Sequence, residues 1–448
     1  MKNVLVIFGA TGDLMDKKIA PALYGLYSQH ELKIDEIVGF GRKDLSTDSF
    51  KDQLKDSIQS KMKVDDKKVS SFLENVTYFK GDFNDRESFH NLKNYIQTID
   101  TDINKHFYLA VPANLFDVII NSLAIAELID DKSKIMIEKP IGVDTKSAKL
   151  IESIFAKFFN QNQIYRIDHY LGKEMIQNIL VFRMYNKLLQ NLWSKEFIEK
   201  VEIRLNEVIG LENRGGFYDP LGALRDVGQN HLLEIVALLA MELPKDPLAN
   251  DIVSKRESVL ELLKIYNNDE MTENTFRGQY KGYTTIDEVL PASTTETYFK
   301  LRCFINHPDW EGVPFIIESG KRIKDLSKEI IIYFKDGNKL IFLMAPESKI
   351  LLTFKAKKNC LSQEIEEIKL EAGYACRVND TQYVSEYIQL IDNFIKGDRK
   401  YFVSKEEVLA TWRFVDPIVN AWKNDIVPLY KYNPDTNEAQ NAAAKIII

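Results

Sequence analysis

Residues 4–14 read VLVIFGATGDL, and this stretch decides the fold of the first part of the chain. Its apolar residues predict a short buried strand, and a glycine-containing turn leads from that strand into an amphipathic stretch of helical length. The residues of this turn are Gly9, Ala10, Thr11, Gly12, Asp13 and Leu14. A strand, a tight turn and a helix N-terminus in this order are typical of the pyrophosphate-binding turn of a dinucleotide-binding domain. Because Gly-x-x-Gly is less specific than Gly-x-Gly-x-x-Gly, an ordinary strand-to-helix turn stays an alternative.

The sequence around this stretch repeats the same pattern. Short apolar runs alternate with amphipathic stretches over the first 140 residues. Strands are predicted at residues 4–8, 36–40, 77–79, 106–111 and 134–137, and the first helix at residues 15–29. Short buried strands that alternate with helices predict a parallel, doubly wound sheet, which is the architecture of a Rossmann domain.

The second part of the chain has a different pattern. Strand-like runs follow one another with little helix between them, at residues 200–208, 296–304, 315–319, 329–334, 340–343 and 350–354. Grouped strands of this kind predict a large antiparallel sheet. Longer helices are predicted at residues 221–243, 385–396 and 405–424, and the polar, alanine-rich residues 432–445 are expected to be loosely ordered. We therefore predict an α/β Rossmann domain at residues 1–170 and an α+β domain at residues 171–448.

The composition limits the possible partners and locations. The chain of 448 residues has a formal net charge of −7, which argues against nucleic acid or an anionic membrane as its main partner. The cysteines Cys303, Cys360 and Cys376 lack the spacing of a metal knuckle, so we expect reduced thiols and no metal site. The apolar runs are too short for a signal peptide or a membrane span, which predicts a cytoplasmic protein.

The end of the second predicted strand indicates which dinucleotide is bound. An NAD site usually has an acidic residue there, which holds the ribose hydroxyls. In this chain Gly41 is followed by Arg42 and Lys43, whose positive charges suit the 2′-phosphate of NADP. Solvated loop charges are the plainer interpretation of this pair, and the neighbouring Asp44 leaves the use of NAD open as well.

Residues 166–174, RIDHYLGKE, contain several groups that could bind a charged ligand or transfer a proton. His169 and Lys173 are four positions apart, so on a helix they would share a face and form a cationic phosphate site. Tyr170 would add a hydroxyl donor, whereas Asp168 has the wrong charge for binding phosphate and needs another role. A surface cluster of ion pairs is the alternative for this segment.

The predicted long helix carries a histidine on its apolar face. Leu224, Val227 and His231 are spaced to share that face. A lone histidine in such a place is more often a core residue than a catalyst. A carboxylate that oriented its ring would raise its basicity and favour a role as general base.

These motifs, taken together and in order, resemble the glucose-6-phosphate dehydrogenase family. The matching segments cover about residues 4–430. They include GATGDL at 9–14, EKPIG at 138–142, RIDHYLGKE at 166–174, RGG at 214–216, QNHLL at 229–233 and SGKR at 319–322. The resemblance implies a Rossmann domain followed by an α+β domain with a large antiparallel sheet, through which homodimers or homotetramers form.

The resemblance also implies a reaction and the residues that perform it. The reaction oxidises glucose 6-phosphate at C1 to 6-phosphogluconolactone with hydride transfer to NADP, the first step of the oxidative pentose phosphate pathway. His231 resembles the general base, and Asp168 resembles the carboxylate that orients it. The other implied residues bind the phosphate (His169, Tyr170, Lys173), the sugar (Lys139, Glu207, Asp226, Lys321) and the cofactor (Arg42, Asp82, Phe83, Lys139).

Two segments depart from the family pattern. Family members have a second lysine or arginine five residues beyond Lys321, where this chain has Leu326. Lys324 and Lys328 are the candidates to replace it, and a lower affinity for the substrate is the alternative. The family's Gly-Ser-Trp-Gly-Pro near the C-terminus is replaced by YNPDTN at residues 432–437. A related sugar-phosphate dehydrogenase with another substrate is therefore the first alternative function. A catalytically silent NADP-binding protein is the second, and the presence of both the base and its carboxylate argues against it.

Overall fold

The computed structural model describes residues 2–29, 31–212, 214–245, 251–358, 361, 363–373 and 385–447. The chain forms two compact units, one made of Met1–Glu174 and Arg377–Val408, the other of Met175–Cys376 and Leu409–Ile448. Cys360 and Cys376 lie outside the described residues, and Cys303 is buried. No helix of the described residues is both long enough and apolar enough to cross a membrane.

The strands are numbered in chain order. They are β1 Lys2–Phe8, β2 Glu36–Gly41, β3 Val76–Lys80, β4 Ile103–Leu109, β5 Lys134–Ile137, β6 Ile164–Ile167, β7 Ile198–Asn206, β8 Thr275–Tyr280, β9 Tyr298–Cys303, β10 Phe315–Gly320, β11 Ser327–Phe334, β12 Lys339–Ala345, β13 Lys349–Lys357, β14 Ile365–Gly373, β15 Phe402–Val403 and β16 Leu429–Tyr432. The helices are Met15–Ile19, Ala20–Ser28, Thr47–Lys61, Asp66–Glu74, Arg86–Ile99, Ala113–Leu115, Phe116–Ile125, Thr145–Phe155, Gln161–Gln163, Glu174–Tyr185, Lys187–Gln190, Gly215–Tyr218, Leu224–Leu232, Leu233–Ala240, Ile252–Glu261, Asn268–Asn274, Tyr283–Thr285, Ser385–Lys396, Lys405–Lys423 and Glu438–Ala443.

The first unit is built on a sheet with the strand order β15-β6-β5-β4-β1-β2-β3. Strands β1 to β6 are parallel, and β15 pairs antiparallel with β6 at the edge. The order 3-2-1-4-5-6 is that of a Rossmann fold, and it confirms the predicted fold class of this part. Such sheets bind dinucleotides outside the carboxyl ends of their strands, where the strand order reverses between β1 and β4.

A segment from far along the chain completes the core of the first unit. The helix Ser385–Lys396 buries Leu390, Ile391 and Phe394 in the same apolar cluster as Leu5 of β1. Burial of side chains of this size is worth about 1.5–3 kcal/mol each. The apolar spacing of 385–396 predicts the helix, but a local pattern carries no information about the distant strand on which the helix packs.

The second unit is built on a sheet with the order β14-β13-β12-β11-β7-β10-β9-β8-β16. The pairs β7–β10 and β8–β16 are parallel, and the remaining pairs are antiparallel. The predicted large, mostly antiparallel sheet is therefore confirmed. The two parallel pairs join strands that are far apart in the sequence, so grouped short strands could not predict them.

The expectation of a loosely ordered tail is wrong. Tyr432 ends β16 fully buried, and its hydroxyl donates a hydrogen bond to the carbonyl of Lys321 at 2.7 Å. The short helix Glu438–Ala443 follows and buries Ala439 and Ala443. Its small residues allow close packing, and an alanine-rich composition in this segment therefore reflects a packed helix.

A buried ion pair fixes the last parallel strand of the first unit. Arg166 on β6 is fully buried and donates from Nε and Nη2 to both carboxylate oxygens of Glu152, at 2.7 and 2.5 Å. Glu152 belongs to the helix Thr145–Phe155. The pair joins this helix to the strand that ends directly before Asp168. A surface ion-pair cluster is therefore wrong for Arg166.

We predict that Glu152→Ala lowers the free energy of unfolding by about 3–5 kcal/mol, because it leaves a guanidinium buried without its carboxylate. Urea unfolding followed by circular dichroism measures this change. Asp102→Ala is the matched control, since it removes an exposed ion pair with Lys132 in the same unit and should cost at most about 1 kcal/mol. If Glu152→Ala does not fold, Glu152→Gln is measured in its place, because it keeps a hydrogen-bond acceptor for Arg166 and removes only the negative charge. Equal stability losses in the buried and exposed variants would contradict this assignment.

Candidate active site

The turn after β1 packs closely against the backbone that follows β4. Gly9 has a φ of 83°, a conformation that favours glycine. A side-chain carbon on Gly9 would lie 2.5 Å from the carbonyl oxygen of Ala110, which follows β4. The N–H groups of Gly9 and Ala10 donate to the carbonyl of Phe40 on β2, at 3.1 and 3.3 Å. The turn is thus held against the ends of the neighbouring strands, before the helix that begins at Met15.

The basic pair after β2 lies next to this turn. The ammonium of Lys43 donates to the carbonyl of Thr11 at 3.3 Å, and Arg42 is exposed. The hydroxyl of Tyr78 on β3 donates to the carbonyl of Lys43 at 2.8 Å and fixes the backbone here. Asp44 pairs with an exposed lysine on β3 at 2.9 Å. The negative charge of Asp44, the residue that leaves the use of NAD open, is therefore partly neutralised. The charge beside the turn is mainly positive.

The two residues predicted to form a cofactor wall after β3 have different environments. Asp82 is exposed, and its Oδ1 accepts the backbone N–H of Asn84 at 2.9 Å. The ring of Phe83 is buried and stacks on Phe40, with 5.9 Å between the ring centroids. The Phe83 side chain thus packs in the core below the strand ends, whereas the Asp82 carboxylate faces solvent.

A buried carboxyl group precedes Lys139 at the end of β5. Oε1 of Glu138 accepts hydrogen bonds from the hydroxyls of Tyr108 at 2.6 Å and Tyr387 at 3.2 Å. Burial raises the pKa of Glu138, although these hydrogen bonds and the ammonium of Lys139 oppose the shift. The sequence pattern predicts no role for this carboxyl group, although Glu138 lies inside the EKPIG segment. Tyr387 comes from the distant helix Ser385–Lys396, so no local pattern indicates it.

The segment after β6 forms consecutive turns. Asp168 is 2% exposed, and its Oδ1 accepts the backbone N–H of Tyr170 at 2.8 Å. The ring centroids of His169 and Tyr170 are 5.1 Å apart, and the Lys173 ammonium lies 4.9 Å from the Tyr170 ring. The helix begins only at Glu174, so the shared helix face expected for His169 and Lys173 is wrong. The turns nevertheless bring the three proposed phosphate-binding side chains together.

A close backbone contact holds these turns in place. A side-chain carbon on Gly172 would lie 2.7 Å from the carbonyl oxygen of Glu386. Glu386 is in the helix that also carries Tyr387. The same helix therefore supports both the turn after β5 and the turns after β6.

In the second unit, His231 is 2% exposed and lies in the segment Leu224–Leu232. This segment has π-helical geometry and continues as the α-helix Leu233–Ala240, so the single regular helix predicted here is wrong. Gly228 permits the wider turn to approach the sheet, since a side-chain carbon there would lie 2.7 Å from the ring of Phe299 on β9. π-Helical segments are rare and occur frequently at functional sites, because they redirect side chains that a regular helix would align.

Tyr218 lies close to Lys321, one of the proposed sugar-binding residues of the second unit. The Lys321 ammonium donates to Oε2 of Glu207 at 2.7 Å and lies 5.3 Å from the Tyr218 ring. Burial alone would raise the pKa of Glu207, but the charge and hydrogen bond of Lys321, together with the charges of Lys328 and Arg214, lower it overall. Burial raises the pKa of Tyr218, and the charge of Asp226 adds to that shift. Tyr218 is an ordinary aromatic residue in its local sequence pattern, so no signal there predicts its place beside these charges.

In the part of the chain that the structure describes, no group of three or more His, Cys, Asp or Glu side chains could hold a metal ion. The candidate residues of each unit carry carboxyl, ammonium, imidazole and hydroxyl groups. Such groups bind phosphorylated and hydroxylated ligands and transfer protons.

Comparisons with known proteins identify the family. Residues 6–178 match the NAD binding domain of glucose-6-phosphate dehydrogenase, and residues 180–446 match its C-terminal domain. The glucose-6-phosphate 1-dehydrogenase of Aggregatibacter actinomycetemcomitans is 35% identical over 99% of this chain and 95% of its own length. That of Treponema pallidum is 33% identical over 96% of this chain and 90% of its own length. A solved structure of glucose-6-phosphate dehydrogenase in complex with its substrate glucose-6-phosphate has 29% identity and a TM-score of 0.91, covering 100% of this chain and 98% of that one. The chain therefore belongs to the glucose-6-phosphate dehydrogenase family.

Proposed function

We propose that this protein oxidises glucose 6-phosphate at C1 to 6-phosphogluconolactone, with NADP as the hydride acceptor. Membership in the glucose-6-phosphate dehydrogenase family carries this proposal. The reaction is the first step of the oxidative pentose phosphate pathway. We further propose that the enzyme works in the cytoplasm as a homodimer or homotetramer.

The first unit supports the binding of a dinucleotide. The turn at Gly9 is packed against the ends of the neighbouring strands, and the N-terminus of the helix that follows it offers N–H groups and a positive dipole end to a pyrophosphate. Arg42 and Lys43 provide positive charge for a 2′-phosphate, which favours NADP over NAD. When bound, the cofactor supplies the nicotinamide carbon that accepts the hydride.

The substrate is held by its phosphate and by its hydroxyl groups. His169, Tyr170 and Lys173 provide an imidazole, a hydroxyl and an ammonium group within one set of turns, and this combination suits a phosphate. Glu207, Asp226, Lys321 and Lys139 are proposed to bind the sugar. Binding energy from the phosphate, which does not react, positions C1 for the reaction.

Deprotonation of the C1 hydroxyl makes C1 a better hydride donor. We assign His231 as the general base, because a neutral imidazole accepts a proton efficiently near pH 7. Asp168 is assigned as the carboxylate that orients this ring and stabilises the imidazolium, as the acid of a Ser-His-Asp triad does. Burial restricts both side chains, which favours fixed orientation over conformational freedom.

The proposal is tested by steady-state assay at 340 nm. Glucose 6-phosphate with NADP should give the highest kcat/KM among hexose phosphates and free glucose, each tried with NADP and NAD. A clear preference for another hexose phosphate would instead support a related sugar-phosphate dehydrogenase, the alternative that Leu326 favours. Absence of turnover with every pair would contradict the enzyme function.

We predict that His231→Asn lowers kcat by about 10²–10⁴-fold, because general base catalysis contributes on that scale. Asp168→Asn should also lower kcat, because the negative charge that stabilises the imidazolium is lost. Its Oδ1 can still accept the hydrogen bond from the Tyr170 N–H, so the turn itself is retained. Cofactor binding, measured by fluorescence titration, should remain at the wild-type level in both variants and serves as the control. A kcat within a few-fold of wild type for His231→Asn would remove the residue from the mechanism.

We predict that Arg42→Ala lowers kcat/KM for NADP by about tenfold and leaves kcat/KM for NAD unchanged. A tenfold loss corresponds to the binding free energy of one partly solvated charge-assisted contact, here with the 2′-phosphate. Initial rates with varied cofactor at saturating sugar phosphate measure both values. Asp44→Ala is the comparison variant, and a modest gain with NADP is expected from loss of a negative charge. Equal losses with NADP and NAD would show that Arg42 does not read the 2′-phosphate.

A further inference from the structure

Residues 224–240 form one continuous helix that carries His231, and we call it the His231 helix. An α-helix leaves its last carbonyl groups without a partner in its own backbone. At the end of the His231 helix, the carbonyl of Ala237 still accepts the N–H of Met241 at 2.9 Å. Side chains from three other segments of the second unit donate to the carbonyl groups that follow it.

The buried guanidinium of Arg183 holds two of these carbonyl groups. Its Nη1 donates to the carbonyl of Leu238 at 2.7 Å, and its Nη2 donates to that of Met241 at 2.8 Å. Arg183 lies on the helix Glu174–Tyr185, so the contact joins two helices. A cation at a helix C-terminus also complements the negative end of the helix dipole.

Two tryptophan side chains hold the carbonyl groups between these two. Nε1 of Trp193 donates to the carbonyl of Leu239 at 2.7 Å, and Nε1 of Trp310 donates to that of Ala240 at 2.8 Å. Trp310 lies between β9 and β10. Four consecutive carbonyl groups are thus fixed by three side chains, and we call Arg183, Trp193 and Trp310 the C-terminal anchor.

A buried glutamate holds the other end of the same helix. Oε1 of Glu296 accepts the N–H of Leu224 at 3.0 Å, and the backbone carbonyl of Glu296 accepts the N–H of Ala223 at 3.0 Å. A side-chain carbon on Gly222 would lie 2.4 Å from the same Oε1. The glutamate therefore packs closely against the turn that leads into the His231 helix and fixes where the helix begins.

Fixed ends matter here because the segment that contains His231 is π-helical. A π-helical turn takes up more residues than an α-helical turn. Conversion to α-helical geometry would therefore move one end of the helix relative to the other, by about 1.5 Å and about 100° for each residue displaced. Contacts at both ends oppose that movement. They consequently fix the direction in which the imidazole of His231 leaves the helix.

We infer that Glu296 and the C-terminal anchor are positioning residues, which hold the His231 helix at both ends and set the orientation of the His231 ring. This inference rests on the proposed function, in which His231 is the general base, and deepens it. The four positioning residues act through the helix, without contact with the reacting atoms.

Arg183→Met removes both donors of the guanidinium. We expect kcat to fall about tenfold or more, since a misplacement of about 1 Å can cost about a hundredfold in rate. The KM values for glucose 6-phosphate and NADP should stay within about twofold of wild type. Arg183→Lys keeps a donor and the charge, and should restore much of the lost kcat. Rates are measured at 340 nm, well below the thermal midpoint of each variant.

A matched pair of tryptophan variants separates positioning from stability. Trp310→Phe removes one donor of the C-terminal anchor. Trp422→Phe removes an indole N–H that donates to Oγ1 of Thr275 at 3.1 Å, away from the His231 helix. Both tryptophans are 3% exposed, so the two changes should lower the thermal midpoint by similar amounts. Only Trp310→Phe should lower kcat, and equal kcat values in the two variants would contradict the inference.

The N-terminal end is tested in the same way. Glu296→Met removes the acceptor for the Leu224 N–H and should lower kcat at nearly constant KM, whereas Glu296→Gln retains an acceptor and should keep most of the activity. If Arg183→Met does not fold, Trp310→Phe and Glu296→Met decide the question. A kcat close to that of wild type in both of them would overturn the inference.

Nuclear magnetic resonance of the histidine rings reports the orientation of His231 directly. The chain has six histidines, which are labelled with ¹³C at Cε1, and His231→Asn identifies the signal of His231. Spectra are recorded without substrate or cofactor. In Arg183→Met, Trp310→Phe and Glu296→Met the His231 signal should shift or divide, while that of His106 in the first unit should stay in place. A lowered kcat with an unchanged His231 signal would overturn the inference.

The spectra also distinguish failure of this inference from failure of the proposed function. An inactive wild type whose His231 signal moves in Arg183→Met would contradict the proposed reaction and support the inference. An active wild type whose kcat and His231 signal are both insensitive to the three changes would contradict the inference and leave the reaction in place.

Discussion

The parallel arrangement of β1 to β6 is the constraint on which the proposed cofactor site and one half of the proposed catalytic site depend. Parallel strands have their carboxyl ends at the same edge of the sheet, so the turns that follow them meet there. The cofactor turn, the basic pair, Lys139 and Asp168 each follow directly on one of these strands. Chemical groups from distant parts of the sequence are thus collected without any local contact between their segments.

Convergence of strand ends places these groups only approximately, and buried polar contacts make the placement specific. Glu138 accepts hydrogen bonds from Tyr108 on β4 and from Tyr387 on the helix Ser385–Lys396. The same helix approaches the backbone of Gly172, and the Arg166–Glu152 pair fixes the strand between these turns. An unpaired buried charge costs several kcal/mol, so each contact favours one arrangement over its neighbours. The groups that hold the site therefore differ from the groups proposed to react.

Features set by neighbouring residues can be predicted from the sequence, whereas contacts between distant residues cannot. The strand at Lys134–Ile137 and the helix at Ser385–Lys396 have the predicted bounds, because apolar periodicity is a local property. The pairing of β15 with β6 and the contact of Tyr387 with Glu138 join distant residues and left no pattern to detect. The π-helical geometry at His231 was also missed, since a hydrophobic face spaced for 3.6 residues per turn predicts a regular helix. The site residues divide in the same way: the turn at Gly9 was found from its own chemistry, whereas the roles of Asp168 and Glu207 came only from the resemblance.

In the second unit, a mixed sheet produces a similar collection of charges by a different route. β7 and β10 are parallel, so their carboxyl ends meet and bring Glu207 next to Lys321. β11 is antiparallel to β7, and its beginning therefore lies at that same edge. Lys328 lies near that beginning, and its ammonium comes within 3.8 Å of Oε1 of Glu207. Glu207 and Lys321 are thus brought into contact across 114 positions of sequence by the pairing of their strands, so no local pattern predicts this ion pair.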